Sequence, residues 1–209
     1  MVKLKNQTIL QILPALNQGG VERGTLDIAE GILKAGGKAL VASAGGKLEL
    51  QLKEMGAEHI NLPLNSKNPF TLWLNIRRLQ KIIKEKNVTL VHARSRGPAW
   101  SAYYAAKHLK IPFVTTFHGT YNFHSQWKRY YNSVMARGER VIAISQFIRE
   151  HIEENYRDYI DPSKIKIIYR GVDLHQFDPQ IVSKESYEKL RKAWDLKSTD
   201  ALILMVGRL

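Results

Sequence analysis

The sequence predicts a doubly wound, Rossmann-like α/β domain on a parallel sheet. Short apolar runs recur along the chain, helical apolar patterns separate them, and a glycine pair joins the first run to the first helix. Strands of a parallel sheet covered on both faces read as nearly unbroken apolar runs, which is the pattern here.

The first expected strand runs from Thr8 to Leu13. It passes through Gly19-Gly20-Val21-Glu22 into a helix from Glu22 to Lys34, patterned by Leu26, Ile28, Ala29, Ile32 and Leu33. The unpaired amides at such a helix start, and its dipole, suit a negatively charged ligand, although a plain turn has the same pattern. Further strands are expected at Ala39 to Ser43, His59 to Leu62, Thr89 to Ala93, Phe113 to Phe117, Arg140 to Ile144 and Lys166 to Tyr169. Helices are expected near Lys47 to Met55, Pro69 to Lys86, Gly97 to His108, Ser125 to Ala136 and Ser145 to Asn155.

After Tyr169 the character changes. Arg170-Gly171-Val172-Asp173 ends a strand, Phe177-Asp178-Pro179 makes a turn, and a charged helical stretch follows from Lys184 to Trp194. Asp195 to Asp200 reads as a polar connector, Ala201 to Val206 as a new buried strand, and Gly207-Arg208 as the loop after it. The expected organisation is a first domain over 1–178, a connector over 179–200, and the beginning of a second domain over 201–209.

Composition narrows the partners. The 209 residues hold 32 Lys and Arg against 19 Asp and Glu, a formal charge of +13. This favours a polyanion, an acidic membrane surface or a phosphorylated substrate. Nucleic acid is not expected, because zinc-finger spacing, a strand-binding aromatic motif and a separate basic tail are all missing. The chain has no cysteine, which excludes disulfides, cysteine nucleophiles and thiolate metal sites. Lys3 and Lys5 precede an apolar stretch broken by Gln11, Pro14, Asn17 and Gln18, so neither a secretory signal nor a transmembrane helix is expected. The glycine loop is not G-x-G-x-x-G, and G-x-x-x-x-G-K-[ST] does not occur. Nicotinamide dehydrogenases and P-loop nucleotidases are thereby disfavoured.

An ordered set of short motifs carries a family likeness: Gly19-Gly20-Val21-Glu22, Val91-His92-Ala93, Phe117-His118-Gly119, Ile142-Ala143-Ile144-Ser145, and Arg170-Gly171-Val172-Asp173 followed by Phe177. With Val206-Gly207-Arg208, the chain resembles the N-terminal half of a GT-B glycosyltransferase of the large retaining group called family 4. Two departures stand out. Arg170 occupies a position where the family commonly has Asn, and Arg94 one where many members have a second His. The stretch from His92 to Trp100 is more similar to a subgroup associated with bacterial lipopolysaccharide and related envelope glycans.

The resemblance implies two Rossmann-like domains with the active site between them. It implies transfer of a sugar from a nucleotide-diphosphate donor to a glycolipid or envelope oligosaccharide, with retention and with neither a metal nor a further cofactor. A cytoplasmic enzyme, peripheral on the inner face of the inner membrane, is the corresponding expectation, with this chain inert alone. Two alternatives stay open: a nucleotide-sugar epimerase of the same fold, and a non-catalytic module that binds anionic surfaces.

By the same resemblance, His118 lies beside the donor sugar and supports the reacting centre. Its place after an apolar strand, with Gly119 turning the chain at the carboxyl edge, fits that role, although it could simply satisfy a strand-end carbonyl. Gly19 and Gly20 would let the backbone approach the donor diphosphate, and Arg208 would set a permanent cation near it. Glu22 either orients the acceptor or favours the first helical turn. Arg94 and Arg96 either read a phosphorylated or carboxylated acceptor or are solvated loop cations. Ser145 has a rival role as a helix cap, and Arg170 and Asp173 either shape the interdomain face or fix a turn. His92 is expected to orient its strand-end loop.

Two basic-aromatic segments bear on membrane contact. One carries Trp73, Ile76, Leu79, Ile82 and Ile83 among Arg77, Arg78, Lys81, Lys84 and Lys86; the other carries Phe123, Trp127, Lys128, Arg129, Tyr130 and Tyr131. Either could rest on an anionic leaflet or pack its apolar stripe on the sheet, the latter being stronger for the first segment.

Overall fold

Continuous apolar strands need pairing on their edges and cover on both faces; the computed structural model pairs the five inner strands on both edges and sets helices on both faces of the sheet. It describes residues 3–174, 177–197 and 199–205. The elements run β1 (Thr8–Ile12), α1 (Gly20–Lys34), β2 (Lys38–Ser43), α2 (Glu49–Glu54), β3 (Glu58–Asn61), α3 (Pro69–Glu85), β4 (Leu90–Ala93), α4 (Arg96–Leu109), β5 (Phe113–Phe117), α5 (Gln126–Asn132), β6 (Arg140–Ala143), α6 (Gln146–Tyr156), β7 (Ile165–Ile167) and α7 (Lys184–Ala193). All seven strands are parallel, in the order β3-β2-β1-β4-β5-β6-β7. The expected doubly wound sheet is the observed one.

Side-chain alternation along the strands feeds two cores. Leu10, Ile12, Leu40, Ala42, Val91 and Ala93 face the larger core, which α3, α4 and α6 cover with Leu79, Ile83, Ala102, Ala106 and Ile152. Ala39 and Val41 face the smaller one, covered by Leu26, Ala29 and Ile32 of α1 and Leu52 of α2. The chain leaves β1 towards β2 and β3, then returns through α3 to β4 on the other side of β1. Loops leaving β1 and β4 therefore diverge, and a crevice opens at the carboxyl edge between them, where ligands bind in this architecture.

Several elements differ from expectation for identifiable reasons. The helix expected from Lys47 begins only at Glu49, because Leu48 N–H donates to Leu16 O at 2.8 Å and ties that residue to the loop after β1. The helix expected over Ser125 to Ala136 changes to a 3-10 turn at Ser133–Ala136. There Ser133 Oγ donates to Tyr130 O at 2.7 Å, and Thr115 Oγ1 of β5 donates to Met135 O, drawing the segment onto the sheet. Strand β7 ends at Ile167, because its partner β6 ends at Ala143 and offers one further bond, Ile168 N–H to Ala143 O at 2.9 Å.

The chain divides into two compact units, 1–170 and 171–209. In the second, α7 is capped by Ser183, which accepts from Ser186 N–H at 3.1 Å, and all its residues are at least partly exposed. Residues 201–205 form no strand, with Ile203 96% and Met205 93% exposed. A buried strand needs neighbours to pair with, and no described residue of this unit is in one. Val206 lies outside the described residues.

The Gly45-Gly46 turn after β2 packs its backbone against the loop after β1. A Cβ at Gly46, where φ is +146°, would meet Leu16 O at 2.6 Å and Asn17 N at 2.8 Å. Gly31, within α1, would meet nothing within 4 Å. Gly46→Ala is expected to destabilise by more than about 1 kcal/mol. Gly31→Ala should instead stabilise by about 0.5–1 kcal/mol. Denaturant unfolding of both variants reads the difference, and equal midpoints would refute the close packing at Gly46.

Candidate functional site

The loops leaving β1, β4, β5, β6 and β7 carry Gly19, Arg94, His118, Ser145 and Arg170. Four of these residues or their neighbours meet. The Arg170 guanidinium donates to Gly20 O at 2.5 Å and, through its other terminal nitrogen, to His118 Nδ1 at 2.7 Å. A guanidinium only donates, so Nδ1 is the acceptor and the ring proton sits on Nε2. That Nε2–H is buried and has no hydrogen-bond partner. Burial, then the charges of Arg94 and Arg170, lower the His118 pKa to about 3. His118 is thus a neutral hydrogen-bond donor at physiological pH, held in one tautomer.

Arg94 extends the β1–β4 ladder, its N–H donating to Ile12 O at 2.8 Å. Its side chain is only 4% exposed and its Nε has no partner. Burial, followed by Arg170, lowers its pKa to about 10, partly opposed by Asp27, so it remains a cation. Gln11 of β1, paired in register with His92, donates from Nε2 to Thr25 O at 2.9 Å, while its Oε1 is a third buried atom without a partner.

Glycines on α1 make room for both cations. A Cβ at Gly20 would lie 2.6 Å from Arg170 Nη1, and one at Gly24 would lie 2.9 Å from Arg94 Nη2. The sequence reading missed Gly24. Its signal was the four-residue spacing from Gly20, which sets both on one helical face. Gly19 adopts φ 151° and ψ 170°, a conformation essentially confined to glycine, as the residue before α1. Glu22 lies in the first turn, where its charge complements the helix dipole.

The other expected residues fall elsewhere. Arg96 donates to Asn132 Oδ1 at 2.8 Å and lies 4.3 Å over the Tyr121 ring, apart from the Arg94 cluster in its bonding. Ser145 Oγ accepts from Ile148 N–H at 3.2 Å, which is the helix-cap role. His92 bonds Thr116 Oγ1 at 2.8 Å through Nε2, and burial holds its pKa well below the ordinary value. Asp173 belongs to the second unit, where its carbonyl accepts from Phe177 N–H at 3.0 Å. Arg208 lies outside the described residues.

Asn132 and Tyr121 are two further residues the sequence did not single out. Asn132 Nδ2 donates to Tyr121 O at 3.4 Å, Tyr156 OH donates to the same carbonyl at 3.0 Å, and Tyr121 N–H donates to His151 Nε2 at 3.1 Å. The loop carrying His118 is therefore pinned at Tyr121. A cavity of about 620 Å³ adjoins it, lined by Pro14, Leu64 and Tyr131 on its apolar side and by Lys67, Arg96 and Lys128. Among the described residues, no group of three or more His, Asp or Glu is arranged to hold a metal ion, and no helix is long and apolar enough to cross a membrane.

Residues 18–176 match the family model described as Glycosyltransferase Family 4. The chain belongs to glycosyltransferase family 4. A glycosyltransferase from Rickettsia africae, known from its crystal structure, is 44% identical with a TM-score of 0.78, covering 92% of this chain and 50% of its own. An Escherichia coli UDP-Gal:alpha-D-GlcNAc-diphosphoundecaprenol alpha-1,3-galactosyltransferase is 31% identical over 138 residues, 63% of this chain and 35% of that protein. Anabaena HepE, solved with UDP-glucose, shares the fold at 20% identity and a TM-score of 0.71, over 91% of this chain and 50% of its own. This family-4 chain thus spans half or less of the length of these relatives.

The neutral histidines make stability depend on pH. A group whose folded pKa is depressed contributes stability that is complete above its unfolded value, near 6.5 for His, and is lost as pH falls below it. For His118 the loss extends down towards about 3, and His92 acts in the same direction. The denaturant midpoint is expected to fall between about pH 7 and pH 5, less steeply in His118→Gln. An unchanged slope in that variant would contradict the buried neutral ring.

Proposed function

We propose that the protein is a retaining glycosyltransferase that moves a sugar from a nucleotide-diphosphate donor to a glycolipid or envelope oligosaccharide. This chain forms the acceptor-side wall of the cleft, residues 179–200 the connector and 201–209 the beginning of the donor-binding half. The observation that carries the reading is the unpartnered His118 Nε2–H, held by Arg170 at the carboxyl edge beside the glycine start of α1. Family membership supports it, and the lipid diphosphate named for the E. coli relative supports the acceptor class.

In the proposed reaction the bond between the anomeric carbon and the donor phosphate oxygen breaks. The acceptor hydroxyl oxygen forms the new bond on the same face, and its proton passes to the departing phosphate. His118, neutral across the working range, donates from Nε2 to a sugar oxygen and takes no part as a base. Arg208 supplies positive potential where phosphate charge grows. Closure over the site excludes water and favours transfer over hydrolysis. Glu22 and Arg96 shape the acceptor side, Arg96 from the wall of the 620 Å³ cavity.

The full-length protein incubated with a panel of nucleotide sugars and lipid-diphosphate acceptors is expected to give a glycosylated product. His118→Ala should lower kcat by about 10²–10³. Residues 1–209 alone are expected to transfer nothing. Absence of both transfer and donor binding by the full-length protein across the panel would sink the proposal.

Peripheral contact with an anionic leaflet belongs to the same reading. The stripe of α3 is spent on the core, with Leu79 and Ile83 buried and Ile76 and Ile82 packed against it. The surface at α5 is different: Trp127 is 81% exposed, Tyr130 and Tyr131 are partly exposed, and Lys128 and Tyr131 reach the cavity wall. Aromatic rings with neighbouring cations suit a headgroup boundary. Sedimentation with anionic vesicles should fall in Trp127→Ala and with added salt, while equal binding to neutral vesicles would exclude this surface.

A further inference from the structure

Buried cations are paired in folded proteins because an uncompensated one is costly. Arg94 departs from that rule: among the described residues, no carboxylate forms an ion pair with it or with Arg170. Asp27 offsets its charge only in part, and Arg170 adds to it. Two donors, Arg94 Nε and His118 Nε2, are buried without acceptors in the same neighbourhood. Helix α1 gives up side chains at Gly20 and Gly24 where the two guanidiniums approach it.

The geometry points to an oxyanion site in which Arg94 and Arg170 bind a phosphate or carboxylate group of a substrate, beside the His118 ring that Arg170 holds. A planar guanidinium matches such a group through paired N–H bonds, and two of them neutralise a dianion. The partner of Arg94 in this site is Arg170, 76 positions along the chain, rather than its near neighbour Arg96, which Asn132 and Tyr121 occupy. The oxyanion has two sources, the donor diphosphate or an acid group on the acceptor. The inference rests on the carboxyl edge being the reacting site, and its test reads binding alone.

The test follows the ring nitrogen signals of His118 by NMR in the 209-residue chain during titration with inorganic phosphate at fixed ionic strength. Saturable movement is expected. Arg94→Gln and Arg170→Gln should each weaken phosphate by about tenfold or more. Lys34→Gln, at the far end of α1, should leave it unchanged. Arg170 is exposed, so its variant keeps the fold even where Arg94→Gln does not, and the amide spectrum reports either case. UDP added to the phosphate-loaded chain separates the sources: displacement assigns the site to the donor diphosphate, and simultaneous binding assigns it to an acid group on the acceptor. A His118 ring unmoved by phosphate, or an Arg170→Gln chain that titrates like the parent, overturns the site. Phosphate binding without sugar transfer by the full-length protein would refute the transferase reading and leave this one standing.

Discussion

The Arg170 guanidinium, bonded at once to Gly20 O and to His118 Nδ1, is the interaction on which the edge of this domain depends. It joins the loop after the last strand to the start of the first helix and to the loop after β5. It also decides chemistry, since an acceptor at Nδ1 forces the ring proton to Nε2. Bonding and electrostatics act together here. The bond fixes the tautomer, while burial, and after it the charges of Arg94 and Arg170, keep the ring from taking a second proton.

That arrangement follows from the sheet. Its strand order brings the carboxyl ends of β1, β4 and β5 side by side, and two apolar cores hold them there. The faces are conventional hydrophobic packing; the edge is where unpaired polar atoms collect. Among the described residues, the buried side-chain atoms without a partner are Gln11 Oε1, Arg94 Nε and His118 Nε2, and atoms left unmet in this way mark a place where something else can meet them.

The strands were legible because continuous apolar runs bounded by turn residues have few other readings, and the cap at Ser145 because a serine before a helix acts locally. The break after α5 was not, because it depends on Thr115 reaching Met135 across 20 positions. The exposed segment 201–205 misled because an apolar run states what a strand requires without stating whether a partner is there. At the site, His118, Gly20, Arg94 and Arg170 could each be named from sequence. Their grouping could not, since it needs the spatial order of strands, and Gly24 became visible only with the guanidinium lying against it.

At the proposed oxyanion site Arg94 would also couple folding to solution composition. A cation withdrawn from water without a counter-charge raises the free energy of the folded chain, and an anion that settles beside it lowers that free energy in proportion to its own binding. Thermodynamic linkage then makes the molecule's resistance to heat a function of anion concentration. An anion bound at the proposed site would therefore raise the stability of the domain as its concentration rises.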